Sequence, residues 1–138
     1  MRRIALLFIA LCLSLPALAE RKQSFGDLDV HYSAFNSSFL QPEIAAAAGL
    51  SRGKKLGVLN ISVLKAGQPA AAVVSGEVRN LLGQIRSLSF KQVSEGEAIY
   101  YLAQFPIEQQ EMLRFSLKIQ TDGGNTHSLD FNQELFPD

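Results

Sequence analysis

"LRFSLKIQTDGGNTHSLDF", Leu113 to Phe131, is the stretch that decides the fold of this chain. Apolar and polar residues alternate through its first half, and the same period of two returns in its second half. Such alternation is typical of strands with one buried face. The Asp-Gly-Gly-Asn between the halves supplies residues that tolerate positive φ in a tight turn. The stretch therefore predicts a β-hairpin that buries Leu117 and Leu129 and exposes Asp130.

The same period of two continues towards the start of the chain. "AIYYLAQFPI", residues 98–107, is apolar at both parities, which indicates a central strand or one with a covered outer face. About seven short strands with frequent turns, and no repeated strand-helix unit, predict an all-β, antiparallel, immunoglobulin-like β-sandwich. The other strand patterns lie at 28–34, 57–64, 72–78 and in a run ending near Phe90.

One short helix is predicted near residues 42–48. Pro42 suits the first helical turn, Glu43 the positive end of the helix dipole, and Gly49 a helix terminus. Two turns are too short to be stable alone, so the helix must pack on the sandwich. We expect it to be a connector that crosses from one sheet to the other, with its alanines allowing close approach.

The first 19 residues have the pattern of a cleaved signal peptide. Arg2 and Arg3 precede an apolar run from Ile4 to Leu15, and Ala17-Leu18-Ala19 offers the small residues of a cleavage site. The run is shorter than the roughly 20 residues that a membrane span requires. We therefore expect cleavage after Ala19, a periplasmic location, and a single β-sandwich domain over residues 20–138 with no stable membrane anchor.

Composition excludes several classes of site in the mature chain. Cys12 is the only cysteine and lies in the leader, which rules out disulfides, thiolate metal sites and a cysteine nucleophile. Loss of Arg2 and Arg3 takes the basic count from 13 to 11 against 13 acidic residues, a net charge near −2. Nucleic acids and anionic membranes both attract a basic face, so neither is expected as a partner.

Metal and cofactor sites have little support in the sequence. His31 and His127 are the only histidines, and strand parity places His31 with exposed Asp29 but His127 with buried Leu129. A copper site with Met112 as a soft ligand stays open as an alternative. We predict no metal site and no cofactor.

No catalytic constellation is recognisable. The chain contains no Gly-x-Ser-x-Gly elbow, and "VSGEV" around Ser75 lacks the first glycine. Neighbouring acids such as Glu95 and Glu97 fall in a turn, where nothing would separate their pKa values. We therefore expect a protein that is not an enzyme, with an unrecognised hydrolase as the weakest alternative.

Tyr100 and Tyr101 follow a turn and begin a strand, as in the tyrosine corner of immunoglobulin-like sandwiches, where the hydroxyl bonds to upstream backbone. One of the pair should point inward and the other outward. An outward tyrosine near Phe105 would pack against the short helix or help to form a binding face. The candidate binding residues are His31, Tyr32, Tyr101, Phe105 and His127.

Three segments together resemble an uncharacterised family of small exported proteins from Gram-negative bacteria, a domain of unknown function: "FGDLDVHYSAFNSSFLQPEIAAAAGL", "GVLNISVLKAG" and "LKIQTDGGNTHSLDFNQELF". The resemblance covers essentially all of the mature chain. It implies a periplasmic, single-domain β-sandwich and brings no activity, ligand or catalytic residue with it.

The leading hypothesis is a non-enzymatic module that holds another periplasmic or envelope protein, through a strand edge or the helix-bearing end of the sandwich. The alternative is a carrier for a small ligand or a metal that uses His31, Tyr32 or His127.

Overall fold

A computed structural model describes residues 21–137. The predicted signal peptide, residues 1–19, lies outside the described residues. One turn of 3₁₀ helix, Ser37–Phe39, precedes the helix α1, Pro42–Ala48. The strands are β1 (Arg21–Phe25), β2 (Leu28–Asn36), β3 (Leu56–Lys65), β4 (Gln68–Pro69), β5 (Ala72–Arg79), β6 (Ile85–Leu88), β7 (Lys91–Glu95), β8 (Ala98–Pro106), β9 (Glu111–Thr121) and β10 (Thr126–Leu135).

The strands form two antiparallel sheets that pack face to face. Sheet A has the order β1-β2-β3-β8-β7, with the short β4 added to β3, and sheet B has the order β10-β9-β5-β6. Both sheets contribute alternate residues to one hydrophobic core. The predicted antiparallel β-sandwich with one short helix is confirmed.

The hairpin of β9 and β10 has the predicted register. Leu117 lies opposite Leu129 and Phe115 opposite Phe131, and all four side chains are buried. Gly123 in the turn has a φ of 70°, the left-handed conformation that the Gly-Gly pair predicted.

Aromatic rings run through the core from one sheet to the other. The Phe115 ring lies 5.2 Å from that of Phe105 and 4.8 Å from that of Phe131, and Phe131 lies 4.4 Å from Tyr32, between ring centroids. The Arg21 guanidinium covers the open end of this row, about 5 Å from the Tyr32 and Phe131 centroids. It also donates a hydrogen bond to the carbonyl of Asn132. Arg21 thereby links β1 of sheet A to β10 of sheet B.

Two glycines allow close approach between strands. A Cβ at Gly57 in β3 would overlap the ring of Phe105 in β8. A Cβ at Gly76 in β5 would overlap the side chain of Leu117 and the backbone of Ser116 in β9. In both places a large side chain therefore lies over backbone that carries no side chain.

The helix begins at Pro42 and ends before Gly49, whose φ is 67°, as the sequence predicted. The prediction that it crosses between the sheets was wrong, because it links β2 to β3, which are neighbours in sheet A. It packs on the outer face of that sheet, against Val58, Val93 and Leu102. This second apolar cluster explains the apolar outer face of "AIYYLAQF". No helix within residues 21–137 is long and apolar enough to cross a membrane.

Asn36 and Ser37 fix the chain at the point where it leaves β2. The Asn36 amide group donates to the carbonyls of Lys54 and Phe136, over 3.1 and 3.2 Å, and its Oδ1 accepts from the Ser38 N–H over 3.0 Å. The buried Ser37 hydroxyl donates to the carbonyl of Gly53 and accepts from the N–H of the same residue, each over 2.9 Å. These bonds hold the segment before the helix against the loop that enters β3.

The sequence also under-counted the strands, since ten lie within residues 21–137 instead of about seven. β1 was missed because "RKQSF" is polar at most positions, and β7 because only Val93 is buried in it. Both are edge strands of sheet A, where polar and charged residues are common because they discourage further pairing.

Candidate functional site

The outer face of sheet A carries a groove that the helix leaves uncovered. Two adjoining clefts form it, and both are lined by Asn60 of β3 and Tyr100 of β8. We call this surface the outer groove. One end is polar and the other apolar.

The polar end is a cleft of about 370 Å³ over the middle of β2 and β3. His31 lies directly opposite Ser62, and Ser33 lies directly opposite Asn60. Cross-strand partners share a face of the sheet, so these four side chains stand together on the outer surface. The cleft is lined by Tyr32, Leu64 and Tyr100 in addition to these four residues.

The apolar end is a cleft of about 270 Å³ beside the helix. Ile44 of α1 and Phe35 of β2 line it, and both pack against the cluster under the helix. Phe39, in the 3₁₀ turn, is 75% exposed and forms one wall. Glu95 brings the carboxylate at this end. The groove therefore offers a hydrogen-bonding region next to an apolar one, with an exposed aromatic ring at its rim.

Asn60 stands where the two clefts meet. Its Oδ1 is buried and accepts no hydrogen bond from any residue in the part of the chain that the structure describes. A buried amide oxygen without a donor has a large desolvation cost, and native structures contain few such atoms. The groove thus contains one buried acceptor that no described residue supplies with a hydrogen bond.

The structure separates the predicted binding residues. His31 lines the outer groove, whereas Tyr32 turns its ring into the core against Phe131. Tyr101 and Phe105 are also buried between the sheets, with exposed fractions of 4% and 2%, so neither forms part of an outer binding face. The outward member of the tyrosine pair is Tyr100, which lines the groove.

Tyr101 instead uses its hydroxyl inside the sandwich, bonded to upstream backbone as expected, but 29 residues away and not the few residues that a tyrosine corner spans. Its hydroxyl oxygen accepts a hydrogen bond from the backbone N–H of Ala72 over 2.7 Å, which joins β8 of sheet A to β5 of sheet B. The inward tyrosine therefore positions β8, and with it the neighbouring Tyr100.

The two histidines do not meet. His127 stacks on the ring of Phe25 with 4.6 Å between centroids, and Phe25 packs on the core side of sheet A. His31 lies on the other side of that sheet, and Met112 is on the outer face of sheet B. Within residues 21–137, no three His, Cys, Asp or Glu side chains are grouped so that they could hold a metal ion.

Sequence reasoning missed Asn60 and Ser62, and it chose Tyr101 instead of Tyr100 as the candidate binding residue of the tyrosine pair. Strand parity carried a partial signal, because Asn60 and Ser62 are the polar residues on the outer side of an otherwise apolar strand. Their position beside Tyr100 depends on the pairing of β3 with β8, which no local pattern indicates.

The profile of one protein family matches residues 22–138, described as a domain of unknown function, DUF4426. The chain belongs to the DUF4426 family. A DUF4426 family protein from Pseudomonas aeruginosa PAO1, solved by crystallography, is 49% identical, with a TM-score of 0.85. The alignment covers 88% of this chain and 98% of that one. The predicted resemblance to an uncharacterised family from Gram-negative bacteria is confirmed.

Two structures of FetP from uropathogenic Escherichia coli strain F11 share the fold of this DUF4426 chain at 11% identity. A copper-bound FetP variant has a TM-score of 0.64, with 84% of this chain and 94% of that one covered. The as-isolated protein, expressed in the periplasm of E. coli, has a TM-score of 0.62, with 86% and 95% covered. No functionally curated protein matches the chain.

Proposed function

We propose that this DUF4426 protein is a non-enzymatic periplasmic interaction module, and that its outer groove holds an extended segment of another envelope protein. The observation that carries the proposal is the continuity of the groove, in which Asn60 and Tyr100 join a polar cleft to an apolar one. An extended peptide presents hydrogen-bonding backbone groups beside apolar side chains, and it needs both surfaces along one path.

The groove is suited to recognition more than to catalysis. Ser62 and His31 are neighbours, which invites comparison with a nucleophile and its base. Both, however, lie in the middle of paired strands, where the ladder occupies the backbone N–H groups that could otherwise stabilise an oxyanion. Asp29, the nearest acid on that face of β2, accepts a hydrogen bond from Ser24 over 2.6 Å.

The groove is also better suited to a partner than the two edges of sheet A. β7 and β1 are only 5 residues long and carry Lys91, Glu95, Arg21 and Lys22. Charged, short edges oppose the addition of another strand. The partner is therefore expected on the helix-bearing face and not along these edges.

A periplasmic location supports an envelope protein as the partner. The leader pattern of residues 1–19 predicts export, and the as-isolated FetP structure, of the same fold, comes from protein expressed in the periplasm. The exposed Phe39 at the groove rim provides the kind of aromatic anchor that dominates protein interfaces.

The test is a pull-down from periplasmic extract with the mature chain, residues 20–138, and with two groove variants. Tyr100→Ala and Phe39→Ser should each lose a partner that the native chain recovers in fixed ratio. Val73→Ser is the matched control, because Val73 is 70% exposed on the outer face of sheet B, away from the groove. Retention of the partner by both groove variants would contradict the proposal.

A second candidate is a carrier for a small ligand or a metal in the polar cleft. The unsatisfied Asn60 Oδ1 favours a small molecule that donates a hydrogen bond. The fold shared with a copper-bound FetP variant is the reason to test for a metal as well. Since His127 lies across the sheet, a metal would depend on His31. Elemental analysis of the purified chain tests for a bound metal. Metal in stoichiometric amount, lost in the His31→Ala variant, would favour the carrier.

A further inference from the structure

The turn between β5 and β6 presents two leucines to solvent. Leu81 and Leu82 are 83% and 80% exposed, the largest exposed fractions among the big apolar side chains of residues 21–137. Turns normally carry polar residues, and exposing two adjacent leucines contributes nothing to folding. This feature lies in sheet B, away from the outer groove of sheet A, and it suggests a contact that is independent of the proposed function.

The turn holds its shape without the leucines. The Asn80 Oδ1 accepts from the N–H groups of Leu82 and Gln84, over 3.0 and 2.9 Å, and its amide group donates to the Gln84 side chain over 2.7 Å. Backbone bonds from Asn80 to Gln84 and from Gly83 to Asn80, each 3.1 Å, close the ring. Because the tip is ordered in advance, little conformational entropy is lost when it binds.

Three arginines lie at the base of the tip. Arg79 is directly opposite Arg114 on the outer face of sheet B and is paired on its other side with the half-exposed Ile85. Arg86 follows Ile85 in β6. None of the three guanidinium groups makes a hydrogen bond or an ion pair with another residue among residues 21–137. Like charges directly opposite one another destabilise a sheet, so anions from outside would relieve this arrangement.

Acidic residues are present but do not neutralise the base of the tip by pairing. Glu108 and Glu111 share a cleft with Arg86 at the end of the sandwich, and Glu77 lies one row further from the tip than Arg79. No ion pair forms between these acids and the arginines. On the outer face of sheet B, Arg79 and Arg114 are the charged residues nearest the apolar tip, and this face is complementary to an apolar layer bordered by anions.

We propose that the Leu81-Leu82 tip docks the protein reversibly on a bilayer that contains anionic phospholipid. The two leucines enter the acyl boundary, and Arg79 and Arg114 on the outer face of sheet B meet the lipid phosphates, which guanidinium groups bind in bidentate fashion. The net charge near −2 of the mature chain argued against an anionic membrane as a partner, and the exposed leucines with the neighbouring Arg79 and Arg114 revise that expectation for this one turn. Salt limits each charge to about 8–10 Å, so the residues next to the bilayer determine the attraction.

A tryptophan probe tests insertion directly. The chain has no tryptophan, so Leu82→Trp gives a single reporter. With vesicles of phosphatidylglycerol and phosphatidylethanolamine its emission should shift to the blue and the protein should sediment with the vesicles. Val73→Trp, at an exposed position on the same sheet, should show no shift. Absence of a shift at position 82, or an equal shift at both positions, overturns the proposal.

Two further variants separate the apolar and ionic parts. The double substitution Leu81→Ser and Leu82→Ser should reduce vesicle binding about tenfold or more, since burial of each leucine contributes strongly to partition. Arg79→Gln with Arg114→Gln should weaken binding to anionic vesicles and lessen its decrease in high salt. Equal binding to phosphatidylcholine vesicles, or full binding by the double serine variant, overturns the proposal. So does loss of a protein partner from the serine variant when neither vesicle binds.

Discussion

Replacing Asn60 with leucine is expected to make the protein more stable and less able to bind. Asn60 Oδ1 is buried at the centre of the outer groove and has no hydrogen-bond donor among the described residues. Leucine has a similar size and no polar atom to desolvate. If the amide is kept for recognition, the variant gains stability at the cost of the contact that Asn60 makes with a partner.

The size of the gain follows from the unsatisfied acceptor. Leaving a buried hydrogen-bonding group unpaired costs about 1–3 kcal/mol, so its removal should raise the free energy of unfolding by about that amount. With a urea m-value of about 1–3 kcal/mol/M, the midpoint should rise by roughly 1 M. Binding to the partner that we propose for the outer groove should fall, because the acceptor has gone.

Urea unfolding followed by far-UV circular dichroism measures the shift, and Asn36→Leu is the matched control. Asn36 is an asparagine of the same sheet with the opposite surroundings, since it makes three hydrogen bonds and is 5% exposed. The control should lose roughly 2–4 kcal/mol, because three backbone groups are left without partners. An Asn60→Leu variant that is destabilised like Asn36→Leu would refute the reasoning.

Three further substitutions test the packing of the sandwich. Gly57→Ala should cost about 1–3 kcal/mol because its methyl group overlaps the packed Phe105 ring, whereas Gly53→Ala, where the nearest atom is the end of the Leu56 side chain at 3.2 Å, should change the urea midpoint little. Arg21→Ala should cost about 1–2 kcal/mol through loss of its aromatic and carbonyl contacts, and faster hydrogen exchange in β1 would report it; unchanged exchange would contradict this role. Tyr101→Phe should lower the free energy of unfolding by about 1 kcal/mol, and an unchanged value would show that its hydroxyl contributes nothing.

The sequence predicted those parts of the fold that rest on local chemistry. The turn at Gly123, the helix from Pro42 and its end at Gly49 follow from backbone preferences that one or two residues express. The alternation in β9 and β10 predicts which side chains are buried. The crossing assigned to the helix failed because a connector's local sequence does not say which strands it joins.

The candidate site was less predictable because it depends on pairing between distant segments. His31 was correctly identified from its residue type. Tyr101 was chosen as a candidate binding residue, but it is buried and its neighbour Tyr100 faces the groove. Tyr100 and Tyr101 have opposite parity, and only the position of the core decides which of the two side chains points outward. Asn60 is a candidate because its Oδ1 is buried without a hydrogen-bond donor. This property arises only when the helix and β8 surround the side chain.

The two close-approach glycines bear on how fast the chain folds. Most strand pairs join neighbours in sequence, as in the β9 and β10 hairpin, but the pairs β3 with β8 and β5 with β9 join distant segments. Gly57 lies in the first of these distant pairs and Gly76 in the second. Long-range pairing is slow because a large loop must close, with loss of chain entropy, before any contact between the strands stabilises it. A methyl group at either glycine would hinder that closing step, so it would slow folding more than it speeds unfolding.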